Sequence, residues 1–401
     1  MGNKISSKSD ANSDQQQLDG VYKHRRNYYK DYKELNNSLR SIWSFDSQPS
    51  KNSISRPCKR RWKNSTLSLT YDQSKTAWPV SQLQSYFLPE FPIKDHHKDR
   101  NLETLQLISK GAFGKVYKIV NLEKNEIFAL KVLSKSQIVN DNSVKQVKEE
   151  VQIQKACGHH QFIVKCLLNW QSKRHLYIVT EYIEGGELWH LLQTLGVLPI
   201  EIVQLYVAQI ALAIDFLHNA GIVYRDLKPE NVLLDADANV KLIDFGLSKW
   251  LPYAATTETV CGTPKYMAPE ILKMERYGHS VDWWSLGVIA CLMLTSKLPS
   301  LTINHETSSS VLKLPDRELS ETPSRDLLLR LLEVDPTKRL KSVRKLETIA
   351  FYKGYKLEEV KDKLKVKPLL LKYFGEDYRK NLDECDNGIF QNFDETFIEE
   401  D

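Results

Sequence analysis

The stretch Ile222–Leu234, with the sequence IVYRDLKPENVLL, decides how we interpret this chain. It places Asp226, Lys228 and Asn231 on one short loop between two apolar runs. The apolar flanks tie both ends of the loop to a core, so its polar groups are held in place and converge. A further acid, Asp244, follows thirteen residues after Asn231. The sequence therefore predicts a fixed group of two carboxylates, an amide and an ammonium.

This loop resembles the catalytic loop of protein kinases, H-R-D-x-x-x-x-N, with Tyr224 in place of the usual His. The Tyr form, followed by LKPEN, is common in the AGC group of that family. By this resemblance Asp226 is the catalytic base and Lys228 steadies the transferred phosphoryl group. Asn231 and Asp244 would bind Mg²⁺ on the phosphates. The resemblance thus implies transfer of the γ-phosphate of ATP to a Ser or Thr hydroxyl of a protein substrate.

The glycine-rich stretch LISKGAFGKVYKIV precedes this loop and predicts two strands joined by a tight turn. It resembles the family's G-x-G-x-x-G-x-V pattern, with Ser109 at the first glycine position. Glycines let the backbone approach phosphates, which the amide groups then bind. Lys131, in the A-L-K form of the next strand, would grip the phosphates. The resemblance places ATP against Ile108, Gly111, Gly114, Val116, Ala129, Lys131, Thr180, Glu181, Ile183, Glu187 and Leu233.

Residues 143–156 have apolar side chains at helical spacing and resemble the family's αC helix. By that resemblance Glu150 is the ion-pair partner of Lys131. Glu149 is the neighbouring alternative, because one residue of register separates the two alignments.

The run LYIVTEY predicts a buried strand and resembles the hinge between the lobes of a kinase. Thr180 would then be the gatekeeper, and the backbone of Glu181 and Ile183 would bind adenine.

Two acids are the candidates for recognising substrate. Glu187 belongs to a G-G-E-L signature and would reach the ribose and a substrate arginine, and Glu230 would assist. Leu292 replaces an acid that binds substrate arginines in basophilic relatives. The resemblance implies a basophilic kinase with a looser preference for arginine.

The stretch TTETVCGTPKYMAPE resembles an AGC activation segment, with Thr259 at the position of its phosphosite. An upstream kinase would modify Thr259, and the phosphate would pair with Arg225 and Lys249. Further phosphate partners would come from Lys145 and Lys148.

The same segment implies two more contacts. Thr263 would contact Asp226 and Lys228, and Glu270 would form a buried ion pair with Arg339.

Charge is unevenly distributed along the chain. The 401 residues carry a net +5, yet residues 1–66 alone carry 14 Lys and Arg against six Asp and Glu. This start is therefore +8 and the remainder −3, which predicts a surface-binding tail and no nucleic-acid partner. The opening MGNKIS fits N-myristoylation at Gly2, and a basic cluster follows at 59–63. These features predict a cytoplasmic protein that associates with anionic membranes.

The six cysteines form no C-x-x-C pair or zinc spacing, and we expect them to be reduced thiols. The longest apolar run, 281–294, is too short to span a bilayer and predicts a core helix.

The fold class implied is α+β, the bilobal protein kinase fold with a β-rich N-lobe and an α-helical C-lobe. We place the kinase domain at 102–352, after a disordered basic tail at 1–77 and an apolar arm at 78–101. The stretch 295–315 is short and rich in Ser and Thr, so a substrate-side helix of the family is expected to be trimmed or lost.

Residues 353–401 resemble an AGC C-terminal tail, for which two hypotheses stay open. Phe390 and Phe393 would form a hydrophobic motif that docks on the upper lobe. Alternatively, 392–397 would be a tether over the ATP site, in a tail that stops before that motif.

Two other classes of protein remain at this point. A pseudokinase-type scaffold would bind partners without catalysis, and a membrane adaptor would act through its N-terminus alone. Lys131, Asp226, Asn231 and Asp244 discriminate between these classes and a kinase. All four are present, which favours the enzyme.

Overall fold

A computed structural model describes residues 80–93, 102–111, 114–252, 254–303, 310–315, 323–355, 357, 360 and 366–375. Gly2, the basic cluster at 59–63 and both segments proposed for the C-terminal tail lie outside these residues. The described part divides into two compact units. The smaller contains 102–106 and 119–126, and the larger contains every residue of the site described below.

The N-terminal half of the described chain is built on a five-stranded sheet with the order β1-β2-β3-β5-β4. β3 and β5 are antiparallel, with Ala129 opposite Thr180 and Lys131 opposite Ile178. Two helices, α2 and α3, separate β3 from β4. The bounds are β1 Leu102–Gly111, β2 Gly114–Asn121, β3 Glu126–Ser134, α2 Lys135–Asn140, α3 Val144–Cys157, β4 Cys166–Gln171 and β5 His175–Glu181.

The rest of the described chain is mainly helical. Two short antiparallel pairs, β6 with β9 and β7 with β8, flank the catalytic loop. The helices are α4 Leu188–Leu195, α5 Ile200–Asn219, α6 Pro269–Leu272, α7 Ser280–Thr295, α8 Pro323–Leu331, α9 Val343–Leu346 and α10 Val366–Phe374. The strands are β6 Ile222–Val223, β7 Val232–Leu234, β8 Val240–Leu242 and β9 Lys249–Trp250. This division into a sheet and a helical part is the one that the resemblance implies.

The core of the helical part is formed by α5 and α7. α5 spans Ile200–Asn219, and most of its residues are buried. It is long and apolar enough to cross a membrane, but 72% of its most apolar window is buried inside the protein. Gly221, just after the helix, has φ +75°, a conformation that suits glycine and ends the helix. α5 therefore delivers the chain into the catalytic loop.

A β-hairpin occupies the stretch where the sequence predicted a trimmed or lost helix. β10 Ser300–Ile303 pairs antiparallel with β11 Ser310–Lys313. Leu301 and Leu312 are cross-strand partners, and both pack against the main core. Burial alternates along β11 from residue to residue, which is the period of a strand and explains why the stretch shows no helical periodicity.

The segment predicted as an apolar arm is described from residue 80 to residue 93. It begins with one helical turn, α1 Gln82–Ser85, rather than running extended throughout. Phe87 and Phe91 are fully buried. The arm is therefore part of the folded structure.

Candidate active site

Lys131 lies between two carboxylates at the centre of the site. Its Nζ is 2.6 Å from Oε1 of Glu150 and 3.4 Å from Oδ1 of Asp244. Of the two acids that the sequence left open, Glu150 makes this contact, whereas Glu149 pairs with Lys145 at 3.8 Å. β3 supplies the lysine and α3 supplies the glutamate. The structure thus joins three segments that are far apart in sequence.

Lys131 and Asp244 stabilise each other's charged forms. Burial lowers the pKa of Lys131, but the carboxylates of Asp244 and Glu150 outweigh burial and raise it above its ordinary value. The Lys131 ammonium in turn holds the pKa of Asp244 below its usual range. Both groups are therefore ionised at neutral pH, and the side chain of Asp244 is still 49% exposed. An ammonium beside a solvent-facing carboxylate suits phosphates that carry a divalent cation.

The catalytic loop is a closed set of hydrogen bonds around Asp226. The hydroxyl of Thr263 donates to Oδ1 of Asp226 over 2.8 Å, and Lys228 Nζ donates to that hydroxyl over 3.0 Å. Lys228 Nζ also lies 3.3 Å from Oδ2 of Asp226. The predicted contacts of Thr263 are therefore present.

Asn231 completes the loop from its other end. Its amide nitrogen donates over 2.9 Å both to the backbone carbonyl and to Oδ2 of Asp226. That arrangement leaves Oδ1 of Asn231 as the acceptor available to a cation. The oxygens of Asn231 and Asp244 are hard ligands of the kind Mg²⁺ takes, so the donor set fits the expected ion.

Asp282 anchors the catalytic loop, a role that was not predicted from the sequence. Its carboxylate is fully buried in α7 and accepts the backbone N–H groups of Tyr224, over 2.9 Å, and Arg225, over 2.8 Å. It also contacts Nε2 of His218 at 2.7 Å. An acid inside an otherwise apolar helix has to be paired, and this is the sequence signal for its role. Arg225 has φ +73°, and these hydrogen bonds hold it there.

Aromatic packing beneath the loop completes its support. The ring of Phe245 is fully buried and meets Tyr224 edge-to-face at 5.3 Å between centroids. The Tyr224 hydroxyl donates to the backbone carbonyl of Ile243. The Tyr that replaces the family's usual His therefore ties the catalytic loop to the segment that carries Asp244.

The predicted ATP-binding residues lie on five strands and the segment after β5. Gly114 cannot be replaced without distortion, because a Cβ there would lie 1.9 Å from the carbonyl oxygen of Val132. In the hinge, the N–H of Glu181 donates to the carbonyl of Lys165 over 3.1 Å. Ile108 and Gly111 lie on β1, Gly114 and Val116 on β2, Ala129 and Lys131 on β3, Thr180 and Glu181 on β5 and Leu233 on β7, with Ile183 and Glu187 following β5.

The two candidate substrate-binding acids lie beside the catalytic loop. Glu187 is half-buried immediately before α4 and forms a backbone bridge with Leu233. Glu230 lies on a 3-10 turn, Pro229–Asn231, inside the loop. Its Oε2 atom is buried and accepts no hydrogen bond from the described residues. Burial raises the pKa of the Glu230 carboxyl above its ordinary value.

The candidate phosphosite, Thr259, is exposed. Its hydroxyl lies 3.4 Å from the hydroxyl of Thr257, which accepts a hydrogen bond from Lys249 Nζ over 3.0 Å. Arg225 donates to the carbonyl of Leu247 over 2.6 Å. Lys249 is thus linked to Thr259 through one hydroxyl.

Lys148 is not a free phosphate partner, which corrects the expectation from the sequence. Its ammonium lies 2.6 Å from the Glu90 carboxylate and donates to the carbonyl of Leu88 over 2.7 Å. Lys145 is 84% exposed and pairs only with Glu149 among the described residues.

The predicted ion pair between Glu270 and Arg339 is present and buried. Two guanidinium nitrogens donate to the two carboxylate oxygens over 2.7 and 2.9 Å. The guanidinium also lies 5.2 Å from the centre of the Trp284 ring. This bidentate pair fixes the end of the activation segment.

Comparison with known proteins supports the same family. The protein kinase domain family matches residues 102–349. The human ribosomal protein S6 kinase-related protein is 37% identical over 281 residues, covering 69% of this chain and 68% of that protein. The Arabidopsis thaliana serine/threonine-protein kinase AtPK1/AtPK6 is 34% identical over 293 residues, covering 71% and 62%. The Dictyostelium discoideum RAC family serine/threonine-protein kinase homolog is 38% identical over 267 residues, covering 65% and 60%.

The chain spans about two thirds or less of the length of these relatives. Within that span it holds the ion pair of Lys131, the closed loop around Asp226 and the carboxylate of Asp244. Proteins of this family use ATP and Mg²⁺. The chain belongs to the protein kinase family and is a serine/threonine kinase of the AGC type.

Proposed function

We propose that this kinase phosphorylates Ser or Thr residues that follow arginine in protein substrates, and that it does so at anionic membrane surfaces. The observation that carries the choice of substrate is the Oε2 atom of Glu230, which is buried beside the catalytic loop without a hydrogen bond from the described residues. A buried acceptor without a donor is costly, so a guanidinium that reached it would bind favourably. Glu187, whose backbone bridges Leu233 of β7, would add a second acid.

The residues of the loop have distinct parts in the proposed reaction. ATP, when bound, supplies the phosphoryl group, and its Mg²⁺ ion offsets the negative charge of the phosphates. Asp226 accepts the proton of the substrate hydroxyl, and Thr263 and Asn231 hold its two carboxylate oxygens. Lys228 neutralises charge beside it.

The remaining polar groups would hold the nucleotide. Lys131 would bind the phosphates while Glu150 keeps its ammonium in place. Asn231 and Asp244 would hold the metal ion, since both offer oxygen ligands.

A degenerate peptide library tests the substrate preference. We expect selection for an arginine a few residues before the acceptor, and the preference should be looser than in relatives with an acid at the position of Leu292. Glu230→Gln should reduce that selection, because a neutral amide attracts a guanidinium less strongly. Glu184→Gln, at an exposed acid in the segment between β5 and α4, is the matched control. Selection for acidic residues or for proline after the acceptor would refute the proposal.

The proposal of membrane association rests on the sequence of the N-terminus. A myristoyl chain alone binds membranes with a constant on the order of 10⁴ M⁻¹. Each basic residue near anionic lipid adds about 1 kcal/mol. The net +8 of residues 1–66 could therefore convert a reversible contact into a stable one.

Cell fractionation and vesicle binding test this part. Gly2→Ala should move the protein to the cytosol and leave its peptide kinase activity intact. Replacing Lys59, Arg60, Arg61 and Lys63 by Glu should also release it from anionic vesicles. Membrane retention of the Gly2→Ala protein would show that acylation is not the anchor.

A further inference from the structure

The outer face of α3 is covered by the apolar arm that precedes the kinase domain. Phe87 and Phe91 of this arm are fully buried, and their rings meet edge-to-face at 6.4 Å between centroids. Together they fill one hydrophobic cluster with side chains from β3, α2, α3 and β5. Those side chains are Leu133, Ile138, Val147, Val151, Leu176 and Ile178.

An ion pair from Glu90, which lies between Phe87 and Phe91 in sequence, fastens the arm to α3. The carboxylate of Glu90 lies 2.6 Å from Nζ of Lys148 and accepts a hydrogen bond from Gln152 over 2.8 Å. Lys148 and Gln152 are one helical turn apart, so they present both donors on the same side of α3. Lys148 also donates to the carbonyl of Leu88 over 2.7 Å. The helix therefore binds the arm through a side chain and through its backbone.

β4 binds the following part of the arm. The side-chain amide of Asn169 donates to the carbonyl of Glu90 over 2.6 Å, and that of Gln171 donates to the carbonyl of Phe91 over 2.5 Å. The buried ammonium of Lys135 donates to Gln171 and lies 5.2 Å from the centre of the Phe87 ring. Apolar, ionic and backbone contacts thus recognise this one short segment.

The opposite face of α3 serves the active site. Glu150 follows Lys148 by two residues, which places it about 200° around the helix. It makes the 2.6 Å contact with Lys131. Gln146, one turn earlier, donates to the backbone carbonyl of Gly246 over 2.8 Å. α3 is therefore held between the arm on one side and the phosphate-binding groups on the other.

The arm holds α3 more strongly than the ion pair between Glu150 and Lys131 does. In the largely buried Lys131–Glu150 ion pair, the cost of removing both charges from water offsets much of their attraction, so its net contribution to stability is small. Hydrophobic burial scales with area, and two phenylalanine rings remove far more surface from water. Without the arm, Val147 and Val151 would face solvent and α3 would lose its outer support.

We infer that Phe87, Glu90 and Phe91 are positioning residues for phosphoryl transfer, and that their docking on α3 holds Glu150 against Lys131. The inference rests on the kinase activity of the site and does not depend on the proposed preference for arginine or on membrane binding. It also bears on the hydrophobic-motif hypothesis for Phe390 and Phe393. A tail that docked on this cluster would have to displace the arm.

Steady-state kinetics of the full chain with Phe87→Ala and Phe91→Ala combined test the inference. We expect kcat to fall about tenfold or more and KM for ATP to rise, because Lys131 loses its fixed carboxylate. KM for the peptide substrate should stay unchanged. Tyr86→Ala is the matched control, since it removes a ring that is 45% exposed on the same arm. It should change neither constant.

Addition of the arm as a separate peptide distinguishes positioning from a general loss of folding. The peptide QLQSYFLPEFPI, residues 82–93, should restore activity to the double variant as its concentration rises. The same peptide with both Phe replaced by Ala should not restore activity.

Charge exchange between the arm and α3 provides an independent check. Glu90→Lys and Lys148→Glu should each lower activity, and the two together should recover part of it.

Hydrogen exchange of the α3 backbone amides reports whether the arm is docked on α3, and it needs no substrate. Protection should fall in the double variant and return with the native peptide. Either of two results would overturn the inference: a double variant with unchanged kcat and KM for ATP, or a double variant whose activity and α3 protection the native peptide fails to restore. A wild-type protein inactive on arginine-containing peptides would reject only the proposed substrate preference. ATP binding and α3 protection would still test the role of the arm.

Discussion

The catalytic loop and the activation segment are made of similar polar residues, yet they are held very differently. Both carboxylate oxygens of Asp226 are occupied, with Thr263 donating over 2.8 Å. Thr259, in contrast, is exposed, and its hydroxyl lies 3.4 Å from that of Thr257. The side-chain groups of the loop satisfy one another, whereas Arg225 and Lys249 beside Thr259 have no anionic partner among the described contacts. This difference separates a fixed catalytic group from a candidate switch.

Two cations near Thr259, Arg225 and Lys249, contact neutral acceptors, whereas Arg276 is paired with Glu258. Arg225 donates to the carbonyl of Leu247 and, over 3.4 Å, to the hydroxyl of Tyr277. Lys249 donates to the hydroxyl of Thr257. Charge-assisted hydrogen bonds to a phosphate are about twice as strong as neutral ones. A phosphate on Thr259 would therefore draw both cations to itself and order the segment.

The largest effect should come from removing the charge at the centre of the loop. Asp226→Asn should lower peptide phosphorylation about 10²-fold or more, because the substrate hydroxyl loses its proton acceptor. Calorimetry should show ATP binding unchanged, since the nucleotide would contact Lys131, Asn231 and Asp244. Asp237→Asn, on an exposed turn after β7, is the control. Near-normal turnover of Asp226→Asn would exclude the assigned base.

A smaller loss should follow when the anchor of the loop is weakened. Asp282→Asn places an amide nitrogen against backbone N–H groups that the carboxylate now accepts. An unsatisfied buried donor costs about 1–3 kcal/mol, so the free energy of unfolding should fall by that amount. Displacement of Asp226 should lower kcat about tenfold to 10²-fold. Urea unfolding and steady-state kinetics measure both effects, and no change in either would show that the loop holds its shape without this acid.

Functional residues that lie close together in the sequence could be predicted from it. Asp226, Lys228 and Asn231 lie on one loop, and the apolar residues around them fix its ends. For the ion-pair partner of Lys131, the sequence left two adjacent acids, Glu149 and Glu150, because only the register of α3 was uncertain. The structure resolves that choice in favour of Glu150.

Contacts between distant segments were not predictable in the same way. Glu90 precedes Lys148 by 58 residues, and no spacing rule links an acid in a proline-rich arm to a helix. The β10–β11 hairpin was missed because each strand has only four residues, too few for a clear alternation. α10 was missed because it lies in a stretch that the resemblance covers weakly. Asp282 offered a clue as an acid in an apolar helix, but its partners lie on other elements.

Loss of the candidate phosphosite Thr259 should lower kinase activity less than loss of Asp226 in the catalytic loop. Thr259→Ala should lower the activity of protein treated with an upstream kinase about tenfold, a usual scale for coupling between two sites. Mass spectrometry should locate the phosphate on Thr259 in the wild-type protein. The exposed Thr256, three residues earlier, provides the matched control variant Thr256→Ala. An unphosphorylated wild-type protein with full activity would contradict the switch.

The smallest effects on activity are expected from the two lysines, Lys249 and Lys145, and these effects should differ. Lys249→Ala should reduce the activation by phosphorylation only a few-fold, because Arg225 remains as the stronger, bidentate partner. Lys145→Ala should change nothing, since that side chain is 84% exposed and its ion-pair partner among the described residues, Glu149, lies on the same helix. The measurement is the ratio of activities with and without phosphate on Thr259.

A double-variant cycle makes this last comparison decisive. If Lys249 acts through the phosphate, Lys249→Ala should have no further effect when Thr259 is already Ala. An equal loss in both backgrounds would mean that Lys249 supports the segment through its 3.0 Å hydrogen bond to Thr257 alone. In that case the activation segment, like the catalytic loop, would be held by the residues already present, and the contrast between the two regions would rest on Arg225.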